Sequence, residues 1–126
     1  MRLISGSGWL GRRVYARRSV AISQSVIQGV YRRADYRCEI CRKWIGTNAP
    51  SWRGQIHHCL IRRSRKHKEY DHEYNLQLLC PYCHSGKGNS RANKVNHYKR
   101  VCEVYGREKV EAWIDSLDLR TREYWD

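Results

Sequence analysis

No stretch of the 126-residue chain approaches the run of about 18 apolar residues that a membrane span requires. Nothing in it therefore reads as a transmembrane helix, and no membrane partner is expected. Acid is scarce. The first 34 residues hold seven arginines and no Asp or Glu, a composition shared by transit peptides and by flexible arms that follow a phosphate backbone; the arm is the preferred reading. A secretory signal with a positive end, apolar core and small-residue cleavage site is also missing, which argues against reading the six cysteines as three disulfides. Apolar residues make up only 40% of the chain, enough for one domain with a modest core, and small basic domains of that kind often need a staple.

What is present begins with charge. Lys and Arg number 25 against 12 acids, a formal +13, and the natural partner of that excess is a polyanion whose condensed counterions are released on binding. The imbalance is uneven: residues 1–98 carry 19 of the basic and 5 of the acidic residues, whereas 99–126 carry 6 and 7. The C-terminal segment is thus a poor main phosphate contact.

Four cysteines form two C-x-x-C pairs, Cys38/Cys41 and Cys80/Cys83, with 38 residues between them. Zinc takes four soft ligands at tetrahedral corners, and two such turns supply them with little strain. Four thiolates leave no open position for substrate, so the zinc is structural and points to a reducing, cytoplasmic setting. Iron–sulfur chemistry is disfavoured because the knuckles are isolated. Cys59 and Cys102 read as small buried hydrophobes. The cluster ties the chain before His57 and His58 to the chain just before His84, so that three distant imidazoles can converge.

Local pattern supplies the rest. Residues 1–20 read as a basic, partly flexible arm, 21–92 as the metal-stapled domain, and 93–126 as a helical extension packed on it. Ser23 or Ser25 caps a short helix to about Asp35, with Val26, Ile27, Val30 and Tyr31 as its apolar stripe and Arg32 and Arg33 in a solvated last turn. Residues Gly46 to Gly54 are turn chemistry, with Trp52 a packing residue nearby, and Gln55 to Leu60 read as a strand. The polar run Arg62 to Tyr74 reads as an exposed loop, and Leu76, Leu78 and Leu79 return into the core. A short or irregular segment from His84 precedes a helix from Arg91 to Tyr105, stopped by Gly106, and a second helix spans about Glu108 to Leu117. Trp125 is expected to pack back on the domain.

Taken singly, the polar candidates are ordinary. His57 or His58 alone is well explained as a hydrogen-bonded histidine, Asn75 as a turn former, and His84 as a cap on the second knuckle. The run Arg62, Arg63, Arg65, Lys66 and Lys68 could be a solvated face, but in a basic chain beside a histidine pair a phosphate grip is slightly favoured. A regular strand sends His57 and His58 to opposite sides unless a bend redirects one.

In order, however, Cys38-x-x-Cys41, Ile56-His57-His58, Asn75 through Leu79, Cys80-x-x-Cys83-His84 and Lys87 resemble the HNH endonuclease family, also called the ββα-metal nucleases. The resemblance covers residues 31–90. It implies an α+β fold, a zinc-stapled ββα-metal domain with flanking helices. It also implies His57 and His84 as ligands of a catalytic divalent ion such as Mg²⁺ or Mn²⁺, His58 as the general base, and Asn75 as the brace of the inter-strand loop. Double-stranded DNA is the implied substrate, nicked or cut with limited sequence specificity. Arg62, Arg63, Arg65, Lys66, Lys68 and Lys87 would hold flanking phosphates, with Arg12, Arg13, Arg17 and Arg18 extending the footprint. Two departures stand out: the connection after the histidine pair is longer and more basic than usual, and Gly88 stands where some relatives carry a third ligand. Small members of the family are frequent in bacteriophages, often beside DNA-packaging genes, so a packaging protein or other targeting partner and an infected host cytoplasm are implied. The C-terminal helices read first as a stripe that closes the small core, and are otherwise the natural place for that partner or for a dimer contact. The rival reading is a non-catalytic zinc-ribbon DNA-binding module, which leaves His57, His58, Asn75 and His84 without a shared purpose.

Overall fold

The computed structural model describes residues 21–47 and 53–117. The arginines of the N-terminal arm, the loop tip around Pro50 and Trp52, and Trp125 lie outside the described residues. Helix α1 (Gln24–Arg33) is followed by strand β1 (Gln55–His58), a 3₁₀ turn (Lys68–Tyr70), strand β2 (Leu76–Leu79), and helices α2 (Pro81–Gly86), α3 (Arg91–Tyr105) and α4 (Arg107–Asp115). The result is a small α+β domain built on a short antiparallel hairpin with flanking helices.

Ser23 caps α1, its side chain accepting from the Val26 N–H, and Val30, Tyr31 and Ala34 are buried beneath. The helix stops because Asp35 and Tyr36 both take left-handed backbone, φ 56° and 60°, which turns the chain into the first knuckle. Arg33 overturns the expectation of a solvated last turn. Its side chain is 2% exposed and grips Glu39, itself fully buried, through two hydrogen bonds of 2.6 and 3.1 Å. Arg33 also donates to the carbonyls of Glu73 and Leu76. Buried charge is tolerated only when paired and fully hydrogen-bonded, and Arg33 meets both conditions.

In the hairpin, Gln55 pairs with Leu79, Ile56 with Leu78, His57 with Gln77 and His58 with Leu76. All of β2 is buried. Its outer edge is covered by the first knuckle, where Glu39 N–H donates to the Leu78 carbonyl and the Glu39 carboxylate accepts from Leu78 N–H. That edge would otherwise present unpaired backbone groups.

Two apolar clusters flank the hairpin. The first joins Val30, Tyr31, Ala34 and Ile45 to Leu76, Leu78 and Leu79 around the cysteines. The second joins Leu60 and Ile61 to Tyr98, Val101, Val110 and Ile114, with Tyr70, Tyr74, Tyr105 and Trp113 packed against it. The C-terminal helical stripe thus closes a core through its two helices, joined at Gly106 with φ 102°.

The loop after β1 corrects a second expectation. Its first part, Arg62 to Glu69, is largely exposed, but residues 70–74 are half-buried, because Tyr70 and Tyr74 belong to the second cluster and the His72 ring lies against Trp113. Polarity averaged over the run hides two tyrosines that the C-terminal helices bury. Helix α2 starts at Pro81, so His84 lies within the helix and not at its first turn. Cys80 is the N-cap and Pro81 the first helical residue, a favourable start, and the helix ends at Gly86, as short as the weak helix formers from Ser85 onward predict.

Candidate metal and nucleic-acid site

The two knuckles bring Cys38, Cys41, Cys80 and Cys83 together with all four sulfurs within 4.8 Å of one another. Cys41 Sγ and Cys80 Sγ are 3.8 Å apart, the spacing that a tetrahedral zinc with bonds of about 2.3 Å imposes on its sulfurs. The surroundings prepare one thiolate. Burial alone raises the Cys38 thiol, but backbone N–H groups of Cys41, Cys80 and Ile40 bring it down to about 7. Cys83, by contrast, is pushed up to about 12 by burial and by the three neighbouring sulfurs, a crowding that a cation relieves. The four cysteines fit a structural zinc.

The histidines meet at the other end of the hairpin. A cavity of about 740 Å³ is lined by Ile56, His57, His58, Arg62, Arg63, His84, Asn89 and Lys94, with Ile22 at its border. His57 and His58 both reach it although they alternate along β1, since each is turned by a different partner. His57 Nε2 lies 2.8 Å from the Gly88 carbonyl, so that nitrogen carries the proton and Nδ1 keeps its lone pair. The His57 and His84 rings stand edge to face with centroids 5.3 Å apart. Burial, against the pull of the Gly88 carbonyl, and the nearby His84, Lys94 and His58 hold His57 below the usual histidine range, and hence neutral at pH 7. His58 Nε2 lies 2.7 Å from Asp71 Oδ1.

Asn75 is fully buried but does not line the cavity. Its Oδ1 accepts from Leu60 N–H and Ile61 N–H, and its Nδ2 donates to the carbonyls of Ile61 and Tyr70. Every hydrogen-bonding position of the amide is used to fasten the loop between the strands.

Arg62 and Arg63 reach the cavity; Arg65, Lys66 and Lys68 stay exposed on the loop. Lys87 is also exposed and borders a different depression, with Glu39, Gln77 and Arg100. Lys87 is the C-cap of α2 and does not line the histidine cavity.

Several residues were invisible to sequence reasoning. Asp71 sits inside a charge run with no mark to separate it from its neighbours. Lys94, on α3, reaches the cavity rim and donates to the Cys59 carbonyl. Gln77 and Asn93 form a reciprocal buried amide pair, and Asn93 Nδ2 also donates to the Gly88 carbonyl that receives His57. Alternation with the leucines of β2 sends Gln77 to the opposite face, and nothing in the sequence marked that face as one that Asn93 covers.

No family profile matches the chain, and no curated protein or solved structure matches it. What fold and site define is a small α+β domain with a four-cysteine cluster able to hold a metal. Together with its exposed cations and aromatic groups, that cluster is consistent with a small nucleic-acid-binding domain.

Proposed function

We propose that this protein is an HNH-type, metal-dependent endonuclease acting on double-stranded DNA. The observation that carries the reading is the facing pair His57 and His84, with His57 locked in one tautomer by Gly88, beside the His58–Asp71 pair in a basic cavity. Metal-ligating histidines characteristically donate their second ring N–H to a carbonyl or carboxylate, which is how His57 is held.

His57 and His84 would hold the divalent ion, Mg²⁺ or Mn²⁺, whose chemistry is to offset negative charge on the reacting phosphate and on the departing oxygen. With Nε2 committed to Asp71, His58 has Nδ1 to take the proton of the attacking water. Asp71 keeps the ring oriented and faces the positive charge it gains. Arg62, Arg63 and Lys94 hold phosphates at the rim, and Asn75 keeps the loop that carries Asp71 in place. Phosphate contacts position a duplex without reading its sequence, so cutting has limited intrinsic specificity. A targeting partner would supply the rest.

A second reading, a non-catalytic zinc-ribbon DNA-binding module, draws support from the four-cysteine set, the sole cluster of three or more metal-ligating side chains among the described residues. That set and the +13 charge carry this coarser reading without the histidines. A supercoiled-plasmid assay with Mg²⁺, Mn²⁺, Ni²⁺ or Zn²⁺ separates the two. Under the nuclease reading the wild type yields open-circle or linear DNA. His58→Ala loses about 10²–10⁴-fold of that rate while keeping its melting temperature and duplex affinity. No conversion by the wild type with any metal favours the binding module, and undiminished cutting by His58→Ala removes the base.

A further inference from the structure

A second basic face lies apart from the histidine cavity and shares no lining residue with it. A depression of about 410 Å³ is walled by Lys43 and Trp44 from the first knuckle, Arg53 from the approach to β1, and Cys80, Pro81 and Tyr82 from the second knuckle. Two aromatic rings stand in the open there: Trp44 is 46% exposed and Tyr82 77%. Solvent-facing Trp and Tyr in the walls of one depression are costly for a chain with so small a core. Arg37 places its guanidinium 5.5 Å from the centre of the Trp44 ring, and Tyr36 supports that ring from 6.4 Å. Among the described residues the walls include two cations and no acid.

We infer that this face binds single-stranded nucleic acid, with bases stacked on Trp44 and Tyr82 and the backbone held by Lys43 and Arg53. Aromatic platforms interleaved with cations suit single strands because every base offers a π face, whereas in a duplex those faces are already stacked. An apolar protein partner would have to take the charged ends of Lys43 and Arg53 out of water, which is unfavourable. The zinc cluster adds rigidity: the two rings belong to different knuckles, and their spacing depends on the four cysteines that tie those knuckles together.

The test uses the full-length, zinc-loaded chain and fluorescence anisotropy with two labelled oligonucleotides of equal length, an oligothymidylate and an abasic strand with the same phosphates. The wild type is expected to bind the thymidylate about tenfold more tightly than the abasic strand, and Tyr82→Ala to bring the two affinities together. Tyr82→Phe keeps the preference. Trp44→Ala is expected to act in the same way, but Tyr82 is the better probe because its exposure leaves folding unaffected, as an unchanged melting curve and zinc content verify. Equal affinity of the wild type for both strands would overturn the proposal, as would wild-type preference in a folded Tyr82→Ala. Tyr82-dependent binding of an acidic peptide in place of the oligonucleotide would overturn it in favour of a protein partner. His58→Ala retains the strand preference, so the outcome is independent of the nuclease reading.

Discussion

Gly88 sets the orientation of His57 through its carbonyl, and the lack of a side chain is what permits the approach. A Cβ added there would lie 3.0 Å from the His84 carbonyl oxygen and 3.2 Å from His57 Nε2. Gly88→Ala must therefore displace the ring by a few tenths of an ångström. Since a misplacement of about 1 Å can cost about a hundredfold in rate, we expect about a tenfold loss in plasmid conversion with a melting temperature close to wild type. Conversion at the wild-type rate would show that the His57–Gly88 contact does not set the chemistry. Asn75 works on a larger segment. Its four bonds join Leu60, Ile61 and Tyr70, and so determine where the His58–Asp71 pair can form.

Between elements, the decisive contact is the buried Arg33–Glu39 pair, which joins α1 to the first knuckle and, through the carbonyls of Glu73 and Leu76, to the loop and β2. Arg100 adds a second positive group, its Nε 3.1 Å from Glu39 Oε2. Burial opposes ionisation of Glu39, but Arg33 wins and holds the carboxyl below its ordinary range. Arg33→Met leaves that carboxylate buried with only Arg100 beside it, and a loss of about 3–5 kcal/mol in urea unfolding is expected. The double variant Arg33→Met, Glu39→Gln should recover part of it, because the stranded charge is gone. A single variant as stable as wild type would show that the pair is dispensable.

For the whole molecule, stability is expected to depend on metal and on pH. Removing the metal with a chelator leaves four crowded thiols, three of them buried in the first core, so loss of the folded circular-dichroism signal should accompany loss of zinc. An unchanged melting curve after complete chelation would deny the cluster its stapling role. The pH dependence follows from His97, which α3 buries against the Tyr74 carbonyl of the loop and which is lowered to about 4 by burial and by Arg33, against the opposing effects of Glu39 and that carbonyl. Between about pH 6.5 and 4 the unfolded chain takes up a proton that the folded one refuses, so stability falls as the solution is acidified through that window and is unaffected above it. Burial lowers His57 and His72 as well, and their contributions have the same sign. Urea midpoints measured from pH 7.5 to 4.5 at saturating zinc should fall more steeply for wild type than for His97→Leu; parallel curves would exclude His97 as a source.

The metal cluster was legible in the chain because ligand spacing is a local property: a C-x-x-C turn points two sulfurs at one ion wherever it occurs. Helix limits at Ser23 and Gly106 were legible for the same reason, since caps act on their own first or last turn. The histidine pair and Asn75 stood out only as an ordered set. Their partners did not, because Gly88, Asp71 and Lys94 become neighbours of the histidines only after the hairpin closes and α3 packs beside it. Composition likewise assigned Arg33 to solvent, whereas the folded chain buries it, since the acid that neutralises it lies six residues on, inside the knuckle, and its remaining donors find carbonyls more than forty residues away or close to that. The amino-acid sequence by itself determined the staple, the charge and the secondary elements. Only the tertiary structure decided which polar groups face one another, because hydrogen bonds and buried charges are satisfied by whatever the fold brings within about 3 Å.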